Sequence, residues 1–300
     1  MKKIPLIEAE HKYTSLTSLT ATEYELLLSV FDKKVKQKQK HFTLKGKRRV
    51  RAYYGEQKNS SFPGSRIKLD FLLIYLKENP NQYFLGHFYG ITQSKVSEWL
   101  SFLLPVLEES LGDMGYTAKY GLDYRHKNIE DEFLIGDVVE RNVPRRSCSE
   151  AQKVEYSGKK KTHTIKHFGL SDEDGYIHFI SPSYEGSVHD KTIWDELYVE
   201  TAGQNLLMDL GFLGAEEGRM DVILPFKKPK GVKLSVVQKQ LNKALSSLRV
   251  KIEHAFGSVK RLKIIRNKIR LKGHNRREIV MKIAVALHNF RTTLRKPLQI

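Results

Sequence analysis

Two short apolar runs end in the same way. Glu132-Phe-Leu-Ile-Gly-Asp137 and Asn205-Leu-Leu-Met-Asp209 each close on an aspartate, and Gly211 follows the second. Brief apolar runs bounded by polar residues suit buried strands. Thr162–Leu170 and Gly175–Ser181 read as two more strands, joined by the acidic turn Ser171-Asp-Glu-Asp-Gly175. Ser187–Tyr198 reads as a helix and Val222–Pro225 as another short strand. Ser235 then opens a long helix, with Gln238 at the capping-box position. Its stripe at spacings of three and four is Val237, Leu241, Leu245, Leu248, Ile252, Phe256 and Val259. Strands interleaved with helices from about residue 131 onward predict an α/β domain.

The preceding half reads as helical. Residues 1–64 form an N-terminal region with a basic arm expected to bind DNA alongside the helical module, and in it Thr20 caps a helix and Glu23 completes a capping box. Tyr54–Gly64 is loop-like and marks a boundary. Residues 65–120 read as a helical module. An apolar helix from Ile67 to Leu76 stops at Asn79-Pro80, a short helix spans Gln82–Phe88, Gly90 breaks the pattern, and Thr92 caps a longer helix. The apolar positions of that longer helix are Val96, Trp99, Leu100, Leu103 and Leu104. Short helix, glycine turn, longer helix is the helix-turn-helix order, in which the second helix presents its N-terminal residues to base edges. Those residues are Gln93, Ser94 and Lys95. Gln pairs with adenine and Lys with guanine. A plain helical hairpin packed on its neighbours is the competing reading.

Charge supports a polyanionic partner. The chain carries 52 Lys+Arg against 34 Asp+Glu, a formal net charge of +18. Lys33 to Arg51 holds ten Lys or Arg in nineteen residues and no acid. His254 to Arg277 is again acid-free, and Lys159-Lys160-Lys161 with Lys166 is a third cluster. Such runs are solvated unless phosphates neutralise them, and binding through them weakens steeply with salt. A single cysteine, Cys148, excludes an internal disulfide framework and a multi-Cys zinc site. No apolar run is long enough to cross a bilayer, and the start lacks the apolar centre of a signal peptide. The expectation is a soluble, cytoplasmic or nucleoid protein with no membrane partner.

Asp137 and Asp209 fall at the carboxyl ends of strand candidates, the edge where ligands gather in α/β sheets. Glu253 lies on the long helix, sharing a flank with Arg249, Gly257 and Lys260. Three hard oxygen donors suit Mg²⁺ or Mn²⁺. Two such ions about 4 Å apart can drive phosphodiester cleavage. A solvated cap or a surface ion pair is the plainer explanation for each acid. The chain has no His-Glu-x-x-His, Gly-x-Ser-x-Gly or phosphate-loop motif.

Six strings occur in order: Gly136-Asp-Val-Val-Glu-Arg141 with Pro144-Arg145, Tyr156–Lys166, Gly186-Ser-Val-His-Asp-Lys191, Asp209-Leu-Gly-Phe212, Leu224–Gly231 and Arg249–Arg261. Together with the helical module, they resemble the DDE-superfamily transposases of the bacterial insertion-sequence group related to PIF/Harbinger elements, over residues 65–292. The resemblance implies a ribonuclease H-like catalytic domain over residues 121–300, preceded by the helix-turn-helix module. It implies cut-and-paste transposition with two divalent ions, Mg²⁺ or Mn²⁺, in a bacterial host. The catalytic and metal-holding residues would be Asp137, Asp209 and Glu253. Arg249 and Lys260, with Lys160 and Lys161, would contact DNA. Asp190 is an alternative second acid. Asp209 is preferred because it ends a strand and lies 44 positions before Glu253, against 63 for Asp190. Asp190 would then support the site with His189. Two departures stand out: Ser246 replaces a family Tyr, and Val138-Val139 replaces Gly-Thr. The implied partners are double-stranded DNA with terminal inverted repeats, target DNA and a second copy of the chain or a larger assembly. A domesticated DNA-binding protein or nuclease that no longer transposes is the alternative.

Overall fold

The computed structural model describes residues 10–55, 60, 62–127 and 132–296. The boundary expected over Tyr54–Gly64 therefore lies partly outside the described residues. The first elements are α1 (Glu10–Thr17), α2 (Ala21–His41), α3 (Gly64–Glu78), α4 (Gln82–Tyr89) and α5 (Gln93–Asp113). Then come β1 (Lys119–Tyr120), β2 (Asp123–Arg125), β3 (Phe133–Asn142), α6 (Ser149–Glu155), β4 (Tyr156–Ser157), β5 (Thr162–Ser171), β6 (Ile177–Ile180) and β7 (Tyr184–Glu185). The remainder is α7 (Asp190–Asp195), β8 (Tyr198–Glu200), β9 (Asn205–Leu207), β10 (Val222–Ile223), α8 (Val236–Val259), α9 (Lys263–Arg266) and α10 (His274–Arg295). These elements fall into two units, Met1–Thr117 with Lys260–Ile300, and Ala118–Val259. Among the described residues no helix is long and apolar enough to cross a membrane.

The first unit is helical. Thr20 and Glu23 form the expected capping box at α2. Asn79 ends α3 in the left-handed conformation. Asn81 caps α4 and Gly90 closes it at φ 68°, a conformation that glycine adopts without steric cost. Thr92 accepts from the Lys95 N–H to start α5. Phe62 joins the helices by packing on Phe71, Tyr89 and Trp99 at ring separations of 4.8 to 5.3 Å.

The sequence reading ran a single domain from residue 121 to 300, yet α10 lies with the N-terminal helices. The reason is its burial. Val280, Met281, Ile283, Ala284, Val285, Ala286, Leu287 and Phe290 are all covered, and a helix apolar on most sides has to sit inside a bundle. It packs on α5, where Lys282 pairs with Glu108 at 2.5 Å and Asn289 donates to the Tyr116 carbonyl at 3.1 Å.

Arg295 closes the helical unit. Its guanidinium donates to both oxygens of buried Glu23, at 2.5 and 2.7 Å, while Glu23 also accepts from the Thr20 N–H. Glu23→Ala removes a cap and strands a partly buried guanidinium. We expect a loss on the order of 2 kcal/mol, read as an earlier thermal unfolding transition. Glu23→Asp, too short for both roles, should fall between.

The second unit is built on a mixed sheet of order β1-β6-β5-β3-β9-β10, with β4 and β7 also paired to β5. β3, β5 and β6 run antiparallel, whereas β3, β9 and β10 run parallel. A core of Phe168, Phe179, Trp194 and Phe212 fills one face. This α/β unit, reached after a helix-turn-helix region, is consistent with the ribonuclease H-like expectation. The long helix α8 behaves differently from its sequence pattern. Ile252, Ala255, Phe256 and Val259 are buried, but Val237 and Leu241 remain 62% and 47% exposed. Only the second half of the stripe meets the sheet.

Candidate active site

Strand register brings the two aspartates together. β3 and β9 are parallel neighbours, with Ile135 opposite Leu207. Asp137 lies two residues further along β3 and Asp209 two residues past the end of β9, near enough for the Asp209 charge to act on the Asp137 carboxyl. Asp137 is not at a strand end as expected. β3 continues to Asn142 because β5 pairs with it throughout, Asp137 opposite Gly169. Asp209 does leave its strand, and its carboxylate caps a 3₁₀ turn by accepting from the Gly211 N–H at 2.8 Å.

Asp190 joins this pair. It opens α7, and a Cβ built on Gly211 would lie 2.8 Å from Asp209 Oδ1 and 3.1 Å from Asp190 Oδ2. Glycine at 211 is therefore what allows the two carboxylates to flank the turn. Lys166, on β5, pairs with Asp190 at 3.0 Å and donates to the Val188 carbonyl at 2.6 Å. Arg249 Nη2 stands 3.9 Å from Asp209 Oδ2, and its Nε is buried with no hydrogen-bond partner among the described residues.

These neighbours set the charge on Asp137. Burial, helped by the nearby Asp209 and Asp190, pushes its carboxyl up to about 6 against the opposing pull of the Val138 N–H and Arg249. The Val138 bond measures 2.8 Å. A carboxyl this unfavourable as an anion sits where more positive charge is welcome.

Glu253 is placed differently. α8 lies against β3 and β5, with the Phe256 ring filling the space beside Gly169 and Lys251 5.6 Å over the Phe133 ring. Glu253 is one turn past Arg249 on this helix and is exposed. Among the described residues no three Asp, Glu, His or Cys side chains form a set able to hold a metal ion. The expected trio of Asp137, Asp209 and Glu253 is thus not assembled as a ligand set here. The fit to a hard cation rests on the two aspartate carboxylates, while the partnerless Arg249 Nε is a donor for a phosphate oxygen. Mg²⁺ commonly takes one or two carboxylates and completes its shell with water and substrate phosphate.

The other expected contacts are scattered. Lys160 and Lys161 form the exposed tip of the β4–β5 hairpin, seven or more residues along β5 from Gly169, roughly 24 Å at the strand rise. They are not beside the acids. His189 is exposed at the start of α7. Lys260 belongs to the helical unit. Ser94 and Lys95 are exposed at the start of α5, whereas Gln93 is half-buried and bonded to Gln82 at 2.6 Å. Sequence reasoning grouped Lys166 with the basic cluster and did not link it to the acids. The acid-free stretch Val222–Ile252, with eight Lys or Arg, was also overlooked.

Neighbouring aspartates on a mixed sheet, in a chain that also carries a helix-turn-helix, are compatible with an enzyme that cuts DNA. Residues 137–289 match the family described as DDE superfamily endonuclease, and residues 68–113 match the helix-turn-helix of DDE superfamily endonuclease. The chain belongs to the DDE superfamily of endonucleases. It is similar to the probable transposase for insertion sequence element IS702 of Microchaete diplosiphon, with 25% identity over 252 residues, covering 80% of this chain and 87% of that protein. No solved structure matches the chain.

Proposed function

We propose that this chain is a transposase that cuts DNA at the ends of its parent element and joins those ends to target DNA. The supporting observation is that neighbouring parallel strands carry Asp137 and lead into Asp209, beside Arg249. In this reading both aspartates supply hard oxygens for Mg²⁺ or Mn²⁺, with Glu253 brought in from α8. When bound, such ions activate a water nucleophile and stabilise the leaving oxygen. Arg249 holds the scissile phosphate and offsets the charge that develops on it. Lys166 fixes Asp190 and so keeps a third negative group anchored at the rim. Ser94 and Lys95 dock the terminal inverted repeats. Cleavage forms a bond from the water oxygen to phosphorus and breaks the P–O3′ bond. The freed 3′-hydroxyl then makes the same in-line attack on the target. Two ends have to be held together, which calls for at least two copies of the chain on DNA, in the cytoplasm or nucleoid of a bacterial host.

The test is incubation of the full chain with supercoiled DNA carrying the element's two ends. Nicking should appear with Mg²⁺ or Mn²⁺ and vanish with EDTA, returning when the ion is restored in excess. Absence of nicking with either ion, in protein that binds the same DNA, would refute the enzymatic reading.

A further inference from the structure

The basic stretch after α2 is an ordered ribbon, and its placement gives it a use. α2 runs antiparallel to α5. Lys34 pairs with Asp113 at 2.8 Å, Lys38 lies 3.9 Å from Glu109, and Lys38 Nζ sits 5.6 Å over the Phe102 ring. The carboxyl end of α2 is thereby delivered to the amino end of α5, where Ser94 and Lys95 are exposed.

Beyond His41 the chain reverses. Phe42 bridges Arg48 in antiparallel fashion, the Thr43 N–H donates to the Lys47 carbonyl at 2.8 Å, and Gly46 takes the tip at φ 76°. The returning strand is tied to the helix end. The Arg49 N–H donates to the His41 carbonyl at 2.7 Å and the Tyr53 N–H to the Lys40 carbonyl at 3.0 Å. Arg49 Nε donates to the Gln39 and Phe42 carbonyls, at 3.0 and 3.2 Å, and the guanidinium lies 5.0 Å over the Tyr53 ring. Arg49 is thus a fastener. Lys45, Lys47, Arg48 and Arg51 are left exposed on the ribbon, with no acid in the segment.

A cavity of about 430 Å³ separates ribbon from helix, with Lys45, Lys47 and Arg49 on one side and Lys95, Glu98 and Trp99 on the other. Among the described residues that line it the only acid is Glu98, already bonded to Lys95 at 2.7 Å. A fixed, self-repelling cation cluster beside the reading end of a helix-turn-helix suits a polyanion whose charges line the groove that helix enters. We propose that residues 42–51 are a second DNA-contacting element, in which Lys45, Lys47 and Arg48 grip backbone phosphates at the edge of the major groove occupied by α5. This rests on the helix-turn-helix reading and adds a site outside it. Phosphate contacts of this kind set register and affinity and carry no base sequence.

The experiment uses the full chain and a labelled duplex DNA of about 30 base pairs, with affinity followed by anisotropy across a salt series. Lys45→Ala with Lys47→Ala should flatten the slope of log affinity against log salt by about 1.8, two phosphates at about 0.9 each, and weaken low-salt binding roughly tenfold. Lys12→Ala with Lys153→Ala removes the same charge from exposed positions elsewhere and should leave the slope nearly unchanged. Lys45→Arg with Lys47→Arg should retain the wild-type slope and guards against a folding artefact. Equal slopes for the ribbon double and the control double overturn the ribbon assignment. If Lys95→Ala then still weakens binding, the helix-turn-helix reading survives that failure. A wild-type chain that binds no duplex overturns both. Tighter binding to duplex RNA of the same sequence overturns the choice of DNA.

Discussion

Asp209→Asn should abolish metal-dependent nicking, by about a thousandfold or more, while duplex binding changes by no more than about threefold, since binding comes from cations elsewhere. It follows β9, the parallel neighbour of the strand that carries Asp137, and Arg249 reaches towards its carboxylate. Asp190 is the rival. Each acid has one oxygen committed, but Asp209 gives its own to the neutral Gly211 N–H whereas Asp190 is neutralised by the Lys166 ammonium at 3.0 Å. Asp190→Asn should therefore cost about tenfold, the usual size of a supporting contact. The reverse ranking would move the second acid to Asp190. Glu253→Gln completes the series and should also abolish nicking. If it keeps full activity, α8 contributes Arg249 and no acid, and the exposed position of Glu253 already describes its role.

Asp137→Asn should stabilise the ion-free protein at neutral pH while removing activity. Burial and two neighbouring aspartates push the folded carboxyl up to about 6. The unfolded chain binds that proton only below about pH 4. A group raised in the folded state contributes stability at low pH and loses it as pH rises through the folded value. The advantage of Asp137→Asn over wild type should thus be near zero at about pH 4, grow between about pH 4 and 6, and level off at a value on the order of 2 kcal/mol. Denaturant melts in EDTA over that range would measure it. Added Mg²⁺ should narrow the gap by stabilising only the wild type. A difference that is flat with pH would mean that the burial and crowding around Asp137 are absent in solution.

Local signals in the sequence translated directly into structure. Thr20, Thr92 and Ser235 cap helices, Gly90 turns, and the acidic turn joins β5 to β6, because these residues act on their own backbone neighbours. Two similar strings marked Asp137 and Asp209, but their approach depends on the pairing of β3 with β9, which no single string contains. What stayed hidden depends on partners distant in the chain. Periodicity marked the α8 stripe as apolar without revealing that only its second half would be covered. Apolar density in α10 did not name α5 as its neighbour. The lysines at 160 and 161 were set near the acids by the family resemblance alone, but an extended strand carries them far away. Lys166 itself was legible as basic and became informative only once Asp190 stood opposite it.

The chain leaves the helical unit after Thr117 and re-enters it at Lys260. The sheet unit is therefore an insertion with two covalent tethers. A protease nick near residue 117 should leave both fragments co-purifying, because α10 on the second fragment stays bound to α5 on the first. Truncation at residue 259 should do the opposite of what linear order suggests. It would spare the unit that carries the aspartates and strip the apolar cover from the helix meant to read DNA.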